Sequence, residues 1–96
     1  MTSVRTHRYA VDAGDVDTML ERRGNLLDGI RSANPAFAGA TLIRLDDGSY
    51  LDIWSWNSAE DMQRASQAAA EVPLVGATMS LTSDHTSIDG EVLDQR

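Results

Sequence analysis

The sequence predicts an α+β domain of ferredoxin-like topology: a four-stranded antiparallel sheet with two helices on one face. Three observations carry this expectation. The periodic segments run in the order β-α-β-β-α-β. The segment 16–33 carries one apolar stripe of period 3.6. An Asp-Asp-Gly sequence at 46–48 sits between two apolar runs, a strong hairpin signal. Two right-handed β-α-β crossovers around that hairpin give the sheet. Ninety-six residues fit one domain, 1–96.

The first strand is "VRTHRYAV" (4–11), with His7, Tyr9 and Val11 on one side. "DAGD" turns the chain, and Asp15 is placed as the N-cap of the first helix. That helix spans 16–33, with Val16, Met19, Leu20, Leu26, Leu27 and Ile30 as its apolar stripe. Gly24 and Gly29 weaken it by roughly 1 kcal/mol each relative to Ala. Arg23 sits within the stripe, an unusual place for a charge. Asn34-Pro35 stops the helix, because the residue before proline is driven out of the α region. "FAGATLIRL" (37–45) and "SYLDIWSW" (49–56) form the hairpin. A second helix starts at "NSAED", with Asn57 and Glu60 or Ser58 and Asp61 as a capping box. It continues through "MQRASQAAAE", is interrupted at Pro73, and resumes over "LVGATMSL" (74–81). "SDHTSID" (83–89) is the last strand, followed by a polar tail.

Composition limits the function classes. Hydrophobic residues make up 42% and charged residues 24%, a folded, soluble composition. The net charge is −7, which argues against nucleic acid and against anionic membrane surfaces. The eight cations are all Arg, and there is no Cys, so no disulfide, thiolate metal site or Cys nucleophile is expected. The N-terminus has no long apolar run, which points to a cytoplasmic protein. Two histidines without metal-ligand spacing predict no metal site, and no nucleotide-binding motif is present.

The stretch "YLDIWSW" (50–56) puts Tyr50, Asp52, Trp54 and Trp56 on one side of a strand. If Leu45 opposes Tyr50, this side also carries Phe37, Gly39, Thr41, Ile43 and Leu45. The other side then carries Ala38, Ala40, Leu42, Arg44, Leu51, Ile53 and Ser55. A bulged turn would slip this register. The small aliphatic side suits helix packing. The aromatic side would then be covered by a second subunit, making a homodimer through the sheet face with the aromatics around a ligand cavity. This is the placement expected here. In the opposite placement Arg23 pairs with Asp52, the tryptophans pack beneath the helices, and a cavity is lined by Leu51, Ile53 and Ser55.

The stretch "NPAFAGATLIRLDDGSYLDIWSWNSAEDMQRA" resembles the antibiotic-biosynthesis monooxygenase superfamily of dimeric α/β-barrel proteins. The N-P-x-F entry to the second strand, the hairpin, and the lead-in from Trp56 to an Ala-rich helix carry the resemblance. It implies a homodimer whose sheets form a barrel, with a pocket in each subunit. Well-known members oxygenate aromatic polyketides with dioxygen and neither flavin nor metal, so no cofactor is expected. Haem-degrading members carry an aromatic residue and a His on the second helix. That helix has neither here, which speaks against haem degradation. The Asn, Trp, Tyr and Arg residues that oxygenating members place around the substrate do not align one for one, so none is carried over.

His7 and Asp52 are the candidate catalytic bases. His7 has the pKa range for removing a phenolic or enolic proton, and burial would raise the pKa of Asp52 if it is unpaired. The candidate substrate-binding residues are Tyr9, Tyr50, Trp54, Trp56 and His85. The tryptophans can stack a planar ligand, Tyr50 can donate to an oxyanion, and the first and last strands bring His7 and His85 near each other. Each also has a structural reading: core packing for the tryptophans, strand-edge positions for the histidines, ion pairing for Asp52. Met62 and Met79 read as core, and Arg44 as a solvated strand residue or an anion contact. The predicted ligand is a small planar aromatic or polyketide-type molecule. The predicted activity is cofactor-independent oxygenation, with non-catalytic binding or isomerase/cyclase chemistry on the same fold as alternatives.

Overall fold

A computed structural model describes residues 2–69 and 73–96. Its elements are β1 (Ser3–Val11), a 3-10 turn (Ala13–Asp15), α1 (Val16–Ala33), β2 (Phe37–Arg44), β3 (Tyr50–Trp56), α2 (Ala59–Ala69), α3 (Pro73–Met79) and β4 (Thr82–Glu91). The strands order as β2-β3-β1-β4, every neighbouring pair antiparallel. This is the expected ferredoxin-like sheet. Within one chain it is open, with β2 and β4 at its edges.

The helix boundaries follow from local chemistry. At the end of α1, Asn34 donates its backbone N–H and its side-chain Nδ2 to the Ile30 carbonyl, each at 2.9 Å. Its extended ψ of 91° then suits the following proline. Ser58 caps α2: its hydroxyl accepts the Asp61 N–H at 3.2 Å and donates to the Asp61 carboxylate at 2.7 Å. Pro73 opens α3, where a missing N–H costs nothing. The expected continuation of the second helix over 70–72 lies outside the described residues. Asp15 is not a side-chain cap: it lies in the 3-10 turn and makes no capping bond. Leu20 and Met79, expected in the core, are each 46% exposed.

The hairpin register differs by one from the expectation. Leu45 pairs with Ser49, donating to its carbonyl at 2.8 Å, and the Gly48 N–H returns to the Leu45 carbonyl at 3.0 Å. The loop is therefore three residues, 46–48, with Gly48 at φ 85°. A type I turn followed by a left-handed glycine has this form. Tyr50 consequently faces Arg44, Asp52 faces Leu42, and Trp54 faces Ala40. A bulge at Ala38, next to Gly39 at φ 150°, then brings Phe37 opposite Trp56. The aromatic side of β3 thus shares its face with Phe37, Ala40, Leu42 and Arg44, not with Gly39, Thr41, Ile43 and Leu45.

That face is the one the helices cover. Trp56 and Phe37 pack with Met62 and Ala65 of α2, and Tyr9 and Tyr50 pack with Met19 of α1. The expectation that a second subunit covers the tryptophans is therefore corrected. The opposite face carries Val4, Thr6, Thr41, Ile43, Leu51, Ile53 and Ile88, and none of the described helices lies on it. No helix among the described residues is long and apolar enough to cross a membrane.

Candidate functional site

Among the described residues the core forms two clusters, and between sheet and helices lies a cavity of about 440 Å³ that takes residues from both. This lies within the range of small-molecule sites. Sequence reasoning opposed two placements, tryptophans under the helices or tryptophans at a cavity. The structure combines them. Trp54 and Trp56 lie under the helices and line the cavity, whereas Leu51, Ile53 and Ser55 do not.

Strand alternation builds the floor. Arg5, His7 and Tyr9 alternate on β1 and pair with Trp54, Asp52 and Tyr50 of β3, so all six side chains share one face. At the centre, Arg23 of α1 grips Asp52. Its Nε donates to Oδ2 at 2.9 Å and its Nη2 to Oδ1 at 2.7 Å. The Tyr9 hydroxyl also donates to Oδ2, at 2.9 Å. The pair is well buried, with 5% of the Asp52 side chain and 13% of the Arg23 side chain exposed. Burial, together with the Asp52 charge, pushes the Tyr9 phenol far above its ordinary value, so Tyr9 stays a protonated donor. Burial is the largest single influence on Arg23 and would lower its pKa, but the hydrogen bond to Asp52 and the Asp52 charge together outweigh it and raise the pKa. Asp52 therefore accepts three hydrogen bonds from two fixed side chains.

His7 is placed differently. Its ring meets Trp54 edge-on, with centroids 6.1 Å apart. Among the described residues neither of its nitrogens is hydrogen-bonded. Burial lowers its pKa below 6.5, partly opposed by the Asp52 charge and reinforced by Arg5 and His85. At neutral pH it is an uncharged imidazole with both nitrogens available. The indole N–H of Trp54 is buried without an acceptor among the described residues. Such an orphan donor costs about 1–3 kcal/mol.

Of the expected site residues, His7, Tyr9, Asp52, Trp54, Trp56 and His85 meet around the cavity. Tyr50 does not line it. Its buried ring stacks on Tyr9 at 6.2 Å and carries Arg44 over its face at 5.6 Å, so it supports the wall from behind. Residues not singled out as site residues also contribute. Arg5 donates from Nε to Asp89 of β4 at 2.7 Å and also bonds the Ser66 hydroxyl of α2, tying both sides of the cavity together. The Asp89 bond raises the Arg5 pKa and lowers that of Asp89. The signal for Arg5 was its shared parity with His7. Gly29, Ala33 and Ala65 supply the width. Among the described residues no group of three or more His, Cys, Asp or Glu side chains is arranged to hold a metal.

No protein-family profile matches the chain, and no curated protein matches it in sequence. Solved structures match its fold closely. A variant of SnoaB, a cofactor-independent oxygenase from Streptomyces nogalater, superposes with a TM-score of 0.79 at 18% identity, covering 98% of this chain and 95% of that one. The monooxygenase ActVA-Orf6 of Streptomyces coelicolor, in complex with nanaomycin D, gives 0.77 at 20% identity, covering 98% and 89%. The haem-degrader MhuD of Mycobacterium tuberculosis gives 0.67 at 23% identity, covering 98% of each chain. At these identities the likeness shows the shared fold and nothing more specific.

Proposed function

We propose, from that shared architecture, that this chain is a cofactor-independent, monooxygenase-like protein acting on a small planar aromatic or polyketide-type molecule. The observation that carries the reading is His7: an uncharged imidazole with no hydrogen bond among the described residues, set in a ligand-sized cavity against Trp54. SnoaB and ActVA-Orf6, described as an oxygenase and a monooxygenase, support it. MhuD, a haem-degrader, shows that this fold alone does not select the chemistry. In this chain residues 59–79 contain no His and no aromatic side chain, which favours an aromatic substrate over haem.

The roles divide by environment. Trp54 and Trp56 provide the flat apolar surface on which a ring system stacks. His7 accepts a proton from an activated C–H or O–H of the substrate. Asp52, across the ladder from His7, has its oxygens occupied by Arg23 and Tyr9. It therefore acts as a fixed negative charge that stabilises the imidazolium formed. The substrate anion gives one electron to dioxygen, and the two radicals combine into a peroxide. The peroxide takes back the proton and loses water, leaving a carbonyl where a CH₂ stood. Per turnover, one CH₂ group and one O₂ become one C=O and one water. The redox capacity belongs to the substrate, while the chain supplies orientation and a base.

The uncovered sheet face, with Val4, Ile43, Leu51, Ile53 and Ile88, supports a homodimer formed back to back through that face. The cavity of each chain would then remain on the helix side.

The test is oxygen consumption by metal-free protein with a panel of anthrones. Uptake with wild type, and loss of at least about a hundredfold in kcat on His7→Phe, is the expected result for a general base. Tryptophan quenching by the same compounds with no uptake would remove the oxygenase reading and leave a binding protein. Turnover without oxygen uptake would favour an isomerase or cyclase.

A further inference from the structure

Thr82 and His85 lie three positions apart on β4, and a regular strand would direct them to opposite faces. Both line the cavity. The cause is a bulge. Between the pairs Arg8–Thr86 and Ala10–Ser83, the single residue Tyr9 of β1 faces two residues of β4, Asp84 and His85. Asp84 takes a left-handed φ of 56°, a conformation that aspartate tolerates better than most residues. The extra residue resets the alternation, so that both side chains reach one surface.

The hydrogen bonds at this point fix a tautomer. Thr82 has one hydroxyl proton, and it is donated to the Met79 carbonyl at 2.8 Å. The same oxygen is hydrogen-bonded to Nε2 of His85. With its proton already given, Thr82 Oγ1 can only accept, so Nε2 of His85 carries the N–H. The neutral ring then presents a bare Nδ1. Among the described residues Nδ1 has no partner, and the ring packs against Tyr9 with centroids 5.7 Å apart.

We infer that His85 is a specificity residue: its Nδ1 accepts a hydrogen bond from a hydroxyl group on a planar ligand, and Thr82 holds the tautomer that makes this possible. The inference rests on the aromatic-ligand reading above and adds to it the feature that the site recognises. A donor on the ring is matched, and a hydroxyl-free ring of the same size is not. Because His85 is solvent-exposed, water competes for Nδ1, and the discrimination is about tenfold, the value of one ordinary hydrogen bond.

The experiment compares 2-naphthol with naphthalene as probes, titrated against the tryptophan indole N–H signals by NMR. Wild type is expected to bind 2-naphthol about tenfold more tightly. His85→Phe keeps a ring beside Tyr9 and is expected to bind both probes alike. Thr82→Val is expected to reduce the preference and Thr82→Ser to restore it. In ¹⁵N spectra the neutral His85 ring should be protonated at Nε2, with the Nδ1 signal moving on addition of 2-naphthol. An unchanged preference in His85→Phe, no preference in wild type, or an Nδ1–H ring would each overturn the inference while leaving the aromatic cavity standing. Failure of wild type to bind either probe would remove the aromatic-ligand reading itself, and this inference with it.

Discussion

Replacing Asp52 by Ala removes the acceptor of three hydrogen bonds at the centre of the fold. The Arg23 guanidinium, only 13% exposed at its side chain, keeps its charge and loses its partner. Breaking a buried ion pair from one side costs about 3–5 kcal/mol. The lower end applies here, because Arg23 also lines the cavity and water can reach it. The stranded Tyr9 hydroxyl adds about 1 kcal/mol. The sum, about 4 kcal/mol, is a large share of the ~5–15 kcal/mol that holds a domain of this kind together. With a urea slope of about 1–1.5 kcal/mol/M for a small domain, the unfolding midpoint should fall by roughly 3 M. Urea titration followed by tryptophan fluorescence measures it. The double variant Arg23→Met with Asp52→Leu leaves no buried charge and should return to within about 1 kcal/mol of wild type. A loss below about 1 kcal/mol in Asp52→Ala, or a double variant as damaged as the single one, would refute the reasoning.

Other perturbations test separate parts of the structure. The folded pKa of His7 lies below its unfolded value of about 6.5, so protonation favours the unfolded chain. Stability from this group is complete above about pH 6.5 and declines as the pH falls through the unfolded value toward the folded one. An NMR titration should place the His7 midpoint below 6.5, and His7→Phe should lack this component of the acid sensitivity. Gly48→Ala forces a side chain into the left-handed conformation at φ 85° and should cost about 1–2 kcal/mol by thermal unfolding. Gly29→Ala meets no atom within 4 Å of its new Cβ and should stabilise α1 by roughly 0.5–1 kcal/mol. Gly29→Phe should weaken binding of planar ligands without unfolding the chain, as ligand titration and circular dichroism would show.

Much of the fold was readable because each signal was local. The α1 boundaries are visible as an apolar period ended by Asn-Pro, and the parity of His7 with Tyr9 and of Asp52 with Trp54 is visible within each strand. The relation between strands was not local. Asp-Asp-Gly fits loops of different lengths, and only the left-handed φ at Gly48 selects three residues. One residue of slip exchanged the faces of β2 from Gly39 onward, and the bulge at Ala38 kept Phe37 on the aromatic side. The glycine at 39 was a usable hint of the bulge at Ala38. Asp84 was a weaker hint: aspartate is depleted in strands and tolerates the left-handed region, but it also serves as an ordinary exposed strand residue. The cavity was the least legible feature. Side-chain patterns report what touches what, and a void is the absence of a side chain. Its trace in the sequence was the row of small residues at Gly29, Ala33 and Ala65. Nothing in the structure explains the glycine at 24, where a Cβ would also meet open space.

Gly29 has a consequence for how this chain changes over generations. A helix interior gains from alanine or leucine, and packing gains from any group that fills a gap. Selection for stability alone would therefore close this cavity within a few substitutions, each favourable by itself. On the ligand-binding reading proposed above, an open cavity is a standing trade-off, maintained by the ligand that rewards it. Deep mutational scanning can separate the two pressures. Under selection for folding, larger residues should be enriched at Gly29 and Ala33. Under selection for the chain's biological activity, those same substitutions should be purged.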